Sequence, residues 1–156
     1  MFDPRKVFPM SIRKFSALFC AVFAIGLVAF AAEEKKFKAT CPISGKPALE
    51  DKTAAYKDAK VYFCCGGCPG IFAKDTAKFA AKANQQLVAT EQATQVKCPL
   101  SGGKLNPDAN VTIGDVKVQF CCNNCKGKVA EAKGDDQVNL AFSDEAFKKG
   151  FEVKKK

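Results

Sequence analysis

Apolar residues follow three different rhythms along this chain. From Phe15 to Ala32 no charged residue interrupts them. Further on they alternate with polar ones. Asn110-Val111-Thr112-Ile113 and Val116-Lys117-Val118-Gln119-Phe120 flank Gly114-Asp115, a two-residue connection of the kind that closes a hairpin. Thr53 to Lys57 and Lys60 to Phe63 form a similar pair around Asp58-Ala59, with weaker turn chemistry. The third rhythm is helical. Pro69 suits a first helical position, and Ile71, Phe72, Phe79 and Ala83 make one apolar stripe, so a helix is expected over roughly 69–84. A shorter helix is expected near 126–133, stopping at Gly134. Another should begin at Ser143, whose hydroxyl can cap it, with Asp144 and Glu145 in the first turn. Gln85 to Lys97 is polar and without clear periodicity, and reads as a linker.

The first apolar run carries a targeting pattern. Arg5, Lys6, Arg13 and Lys14 precede it, and it ends in Ala29-Phe30-Ala31 before Glu33-Glu34-Lys35-Lys36. Basic, then apolar, then small residues in Ala-x-Ala order is a secretory signal, taken here as residues 1–31. The rival reading is an uncleaved anchor, because the run approaches the ~20 residues of a spanning helix. Met10 offers an alternative start. Cys20 lies inside the run after Ala17-Leu18-Phe19, lacks the small residue that precedes a lipid-modified cysteine, and leaves with the signal. The formal charge is +9, with 25 Lys and Arg against 16 Asp and Glu. Outside Lys154-Lys155-Lys156 the lysines are interspersed with acids, as in Lys74-Asp75 and Glu131-Ala132-Lys133, which describes a solvated surface more than an anion-binding stripe. Export disfavours nucleic acid as a partner and leaves a membrane only if the signal stays attached.

The organisation lies in a repeat. A shift of 57 residues superimposes Cys41 on Cys98, Cys64 on Cys121, Cys65 on Cys122 and Cys68 on Cys125. Cys41-Pro42-Ile43-Ser44-Gly45 answers Cys98-Pro99-Leu100-Ser101-Gly102, and Lys60-Val61-Tyr62-Phe63 answers Lys117-Val118-Gln119-Phe120. Each Cys-Pro-x-Ser-Gly is a tight turn, Pro fixing one dihedral and Gly free to take positive φ. The chain is therefore expected to be small α+β: after the signal come a first ββα cysteine module at 32–84, a linker at 85–97, and a second module at 98–156 with a C-terminal helix.

The chemistry lies in the cysteines. Each copy reads C-x22-C-x3-C, or C-x23-C-x2-C when counted through the second of the vicinal pair. Two sulfurs between a hairpin end and a helix start, with a third on a distant turn, supply what a tetrahedral soft-metal site uses. Cys68 and Cys125, at helix starts, are expected to favour thiolate and to lead the ligand set. The spacing resembles the TRASH/YHS group of small metal-binding domains, whose motif is a cysteine, about 19–22 residues, then C-x3-C. It shares the aromatic before the cluster in Phe63-Cys64 and Phe120-Cys121, and the helical Phe72. The resemblance covers 41 to about 83 and 98 to about 133. It implies a treble-clef-like fold, ligands Cys41, Cys64 and Cys68 and again Cys98, Cys121 and Cys125, and a role in heavy-metal trafficking, resistance or sensing.

Two departures leave the fourth ligand open. The chain has no histidine, and Ser44 or Ser101 stands where many zinc knuckles place a second cysteine. Cys65 and Cys122 are the remaining sulfurs and rank last. If the second hairpin strand continued through them, alternation would bury Cys122 and expose Cys121; if it stops at Phe120, the argument lapses.

The expected ion is Zn2+ or Cu+, handled outside the cytoplasm, periplasmic or secreted, with a metal-handling or cell-envelope protein as the implied partner class. The alternative is a structural or interaction module stapled by disulfides, 41–64 with 65–68 or 41–65 with 64–68, since small exported modules commonly need such help. A thiol–disulfide exchange protein using Cys65 and Cys68 comes third, because strands and helices do not alternate as in thioredoxin. No enzyme is expected: the usual general base is missing, and Glu50, Asp51 and Asp108 sit in presumed loops. Phe37, Phe147 and Phe151 read as satellite packing.

Overall fold

A computed structural model of the chain describes residues 37–155. The segment read as a signal or anchor, 1–31, lies outside the described residues. Among the described residues no helix is long and apolar enough to cross a membrane.

The first copy opens with the hairpin β1 (Leu49–Tyr56) and β2 (Ala59–Phe63), followed by helices α1 (Cys68–Lys74) and α2 (Thr76–Ala89) and the short strand β3 (Ala93–Gln95). The second repeats the order with β4 (Asn106–Ile113), β5 (Val116–Phe120), α3 (Asn123–Glu131), α4 (Gly134–Phe142), α5 (Asp144–Gly150) and β6 (Phe151–Val153). Both hairpins are antiparallel, and in both the register shifts within the longer strand, between Leu49 and Thr53 and between Asn106 and Asn110. The result is small and mixed α+β.

The second hairpin turns at Gly114-Asp115 as expected, with Gly114 at φ 60°. The first turns one residue earlier than expected. Lys57 and Asp58 both take positive φ, 49° and 61°, which is the backbone a two-residue hairpin turn demands whichever residues occupy it. Glu50 and Asp51 fall in β1 and Asp108 in β4, in strands where loops were expected.

The expected 69–84 helix is two helices. The chain breaks at Asp75, whose carboxylate accepts from the Lys78 N–H and so caps α2. The supposed linker 85–97 is neither loose nor linking. Its first residues finish α2, with Leu87 fully buried and Gln86 3 % exposed, and its later ones form β3, which pairs antiparallel with β6. A buried glutamine breaks the apolar periodicity that marks a helix, and a three-residue strand is too short to show one. In the second copy α3 ends before Gly134, but the chain turns at that residue (φ 59°) and resumes as α4. The C-terminal helix starts as expected, the Ala146 N–H donating to Ser143 Oγ.

The two copies share one core. Val61, Phe63, Phe72 and Leu87 join Val118, Phe120, Val129 and Phe142 in a single buried cluster. Phe147 and Phe151 belong to that core, Phe151 stacking at 5.3 Å on Phe147, and only Phe37 is peripheral, edge-on to Tyr62 at 4.8 Å. Helix α2 lies between the copies. Its buried Asn84 donates to the Phe142 carbonyl, and Gln85 donates to the Ile113 carbonyl at the second hairpin turn.

Candidate metal centre

Each centre is assembled from three local structures. The Cys-Pro-x-Ser-Gly turn is closed at both ends: the Cys41 N–H donates to Lys46 O and the Gly45 N–H to Cys41 O, at 2.8 and 2.9 Å. The second copy repeats this with Cys98 to Gly103 O and Gly102 to Cys98 O, at 2.9 and 2.7 Å. Gly45 and Gly102 take φ of 70° and 73°, which the turn requires and a side chain would strain. Cys64 and Cys121 directly follow β2 and β5, whose inward residues Phe63 and Phe120 anchor them to the core. Cys68 opens α1 and Cys125 lies in the first turn of α3.

These elements bring Cys41, Cys64 and Cys68 together in one group and Cys98, Cys121 and Cys125 in another, the sulfurs of each group all lying within 4.8 Å of one another. The Cys64–Cys68 and Cys121–Cys125 sulfurs are each 3.7 Å apart. Thiolates on one tetrahedral ion at ~2.3 Å would lie about 3.8 Å apart, so both groups are compatible with a bound metal. All eight described cysteines are free thiols.

Cys65 and Cys122 join neither group. Both are exposed, with Cys65 Sγ 3.3 Å from Cys68 and Cys122 Sγ 3.6 Å from Cys121. The burial of Cys122 that strand alternation would have produced does not occur, because β5 stops at Phe120 and the vicinal pair lies beyond it. Beside each group stands a hydroxyl instead: Ser44 Oγ is 3.1 Å from Cys64 Sγ, and Ser101 Oγ is 3.1 Å from Cys121 Sγ. The residue that displaces the knuckle's usual cysteine thus keeps a donor atom at the site.

Charge is distributed differently from the helix-start expectation. Burial works against ionising Cys41, but the N–H groups of Cys64, Ser44 and Ile43 and the Ser44 hydroxyl outweigh it and bring the thiol down to about 7. Cys98 likewise falls to about 7, against its own burial, through the Ser101 hydroxyl and the N–H groups of Ser101, Cys121 and Leu100. Cys68 moves the other way, raised first by its hydrogen bond with Cys65 and then by burial and its neighbours Cys64 and Cys41. Cys125 is pushed up to about 12 by burial and by the neighbouring cysteines. For Cys68 the hydrogen bond with Cys65 and burial, and for Cys125 burial and the hydrogen bonds with its thiol neighbours, exceed the help from a helix start. A bound cation would favour the thiolate at both.

Comparison with known protein families, with curated proteins and with solved structures finds no match for this chain. What the structure shows is that the spaced cysteines form two three-sulfur groups that could each hold a metal ion.

Proposed function

We propose that the chain is an exported heavy-metal-binding protein that takes one soft ion, Zn2+ or Cu+, at each three-cysteine group, for buffering, trafficking or sensing of metal outside the cytoplasm. The observation that carries the reading is the convergence, twice, of three sulfurs, the first more than 20 residues of chain from the other two, within 4.8 Å of one another. Thiolate-only donors select soft or borderline ions over Mg2+ or Ca2+. Three buried or half-buried ligands beside an exposed outer cysteine describe a centre that holds an ion and can still pass it to a thiol-bearing partner. The role is binding and exchange, with no catalytic step.

The deciding measurement is metal content together with thiol count, on protein recovered from the extracytoplasmic compartment without added reductant. About two ions per chain, with thiols that become reactive on chelation, is the expected outcome. No metal and four disulfides would replace this reading with the stapled module.

A further inference from the structure

We propose that Gln86 and Gln95 are positioning residues, one for each metal centre, whose side-chain amides lock together the two chain segments carrying the first two cysteines of that centre. The inference rests on the metal-binding reading above and names what holds each centre in shape.

Gln86 Oε1 accepts from the Tyr62 N–H at 2.7 Å, while its Nε2 donates to Tyr62 O and to Thr40 O, both at 2.8 Å. Thr40 immediately precedes Cys41, and Tyr62 lies two residues before Cys64. Gln95 makes the same three bonds in the second copy. Its Oε1 accepts from the Gln119 N–H at 2.9 Å, and its Nε2 donates to Gln119 O at 2.7 Å and to Lys97 O at 3.2 Å. Lys97 precedes Cys98, and Gln119 lies two residues before Cys121.

The bridged positions are equivalent under the 57-residue repeat, but the bridging residues are not. The repeat partner of Gln86 is Ser143, and that of Gln95 is Lys38. Gln86 comes from α2 and Gln95 from β3. Two amides from unrelated elements therefore make one and the same clamp. The outer edges of β2 and β5 present an N–H and a C=O that their hairpin partners leave unpaired, and a primary amide satisfies both at once. The third bond ties that edge to the turn carrying the first cysteine. A three-thiolate site depends on separations near 3.8 Å; groups bonded directly to metal ligands commonly change affinity 10–100-fold, and a clamp on the adjoining backbone is expected to reach about the lower end of that range.

A further glutamine separates the clamp from simple edge pairing. Gln92 pairs with the N–H and C=O of Lys60, at 2.8 and 2.7 Å, but its remaining bond goes to Thr90 and reaches no cysteine turn.

The test uses the full chain, reduced and then titrated with chelator-buffered Zn2+, with a parallel anaerobic Cu+ series. Alkylation of Cys64 and Cys121 is read separately by mass spectrometry in the same sample. Gln86→Met, close to the lost volume but without an amide, should move the Cys64 protection midpoint to at least ~10-fold higher free metal and leave Cys121 within ~twofold. Gln95→Met should do the reverse. Gln92→Met should leave both midpoints in place. Because both centres share one core, each serves as the folding control for the other: a variant that moves both midpoints together, or neither, overturns the proposal. So does Gln92→Met weakening Cys64 as much as Gln86→Met. If neither ion protects any cysteine in the unaltered chain, the metal-binding reading itself fails and takes this inference with it.

Discussion

Metal binding should divide the eight described cysteines six to two. Alkylation of the reduced protein, with and without metal, reads that division residue by residue. Cys41 and Cys98 are fully buried and Cys68 is 5 % exposed, so all three should react slowly even without metal. The informative sulfurs are Cys64, Cys121 and Cys125, which are half-buried and lie within the three-sulfur groups. At free metal ~100 times Kd the metal-free form falls to about one part in a hundred, and alkylation that proceeds through that form should slow about 100-fold. Cys65 and Cys122 are exposed and belong to neither group, so their rates should change by less than about threefold, the change coming from loss of the neighbouring thiol as a hydrogen-bond partner. Slowing of Cys65 and Cys122 in step with Cys64 and Cys121 would refute the three-sulfur centre in favour of four-thiolate coordination. Slowing of none would refute the centres altogether.

Asn84→Ala should destabilise the metal-free fold by about 2–3 kcal/mol in urea titrations with an unchanged m-value, because the fully buried amide serves the Phe142 carbonyl, Asp144 and Lys57 at 2.9–3.0 Å and its removal orphans a buried carbonyl; a loss under ~1 kcal/mol would count against that role. Burial opposes ionisation of Asp144, but Lys57, Asn84 and Tyr56 hold its carboxyl below the usual range. A depressed folded pKa contributes stability that is present above the unfolded value of ~3.9 and lost as pH falls through the folded value, so the stability gap between the native chain and Asp144→Asn should close on acidification below about pH 4. The carboxylate is half exposed, so the gap should be small, and a gap that widens in acid contradicts the assignment. Gly150→Ala would place a Cβ 2.9 Å from Lys97 O and from Pro99 Cα, backbone on both sides of Cys98, and should cost about 1–3 kcal/mol in thermal unfolding and weaken the second centre more than the first.

What could be read in the sequence was what is local. The doubled spacing picked out eight sulfurs and the resemblance to TRASH/YHS modules implied the six that cluster, while the second hairpin followed from Gly114-Asp115 and the last helix from Ser143 with Asp144 and Glu145 behind it. The first hairpin slipped by one residue because Lys57 and Asp58 adopt positive φ without the glycine that announces it. The strands β3 and β6 were invisible because a three-residue strand carries no period, and their pairing joins segments almost 60 residues apart. Gln86 was read as linker polarity because an amide pairing with a strand edge leaves no pattern in sequence. A helix start favours thiolate at Cys68, but the hydrogen bond with Cys65 and burial raise that thiol, while, against burial, the N–H groups and the Ser44 hydroxyl around Cys41 lower that one instead, and neither set of contacts shows in the sequence.

The duplication also explains why the copies are not interchangeable. Helix α2 runs unbroken for 14 residues, whereas the equivalent stretch of the second copy is split at Ser143 into α4 and α5. Ser143 is the repeat partner of Gln86. Where the first copy sends an amide inward to clamp its own cysteine turn, the second ends one helix and caps the next, and its clamp comes from Gln95 on the strand that follows α2. A module of about 50 residues buries little core by itself, so two that share a helix and a strand pair gain stability neither would have alone. Sharing has a consequence for the metal sites. The segment from Gln85 to Gln95 touches the backbone of both copies, through Ile113 and Gln119 in the second and Thr40, Lys60 and Tyr62 in the first. Loosening that segment therefore disturbs the supports of both centres, whereas removing a single amide from it disturbs one.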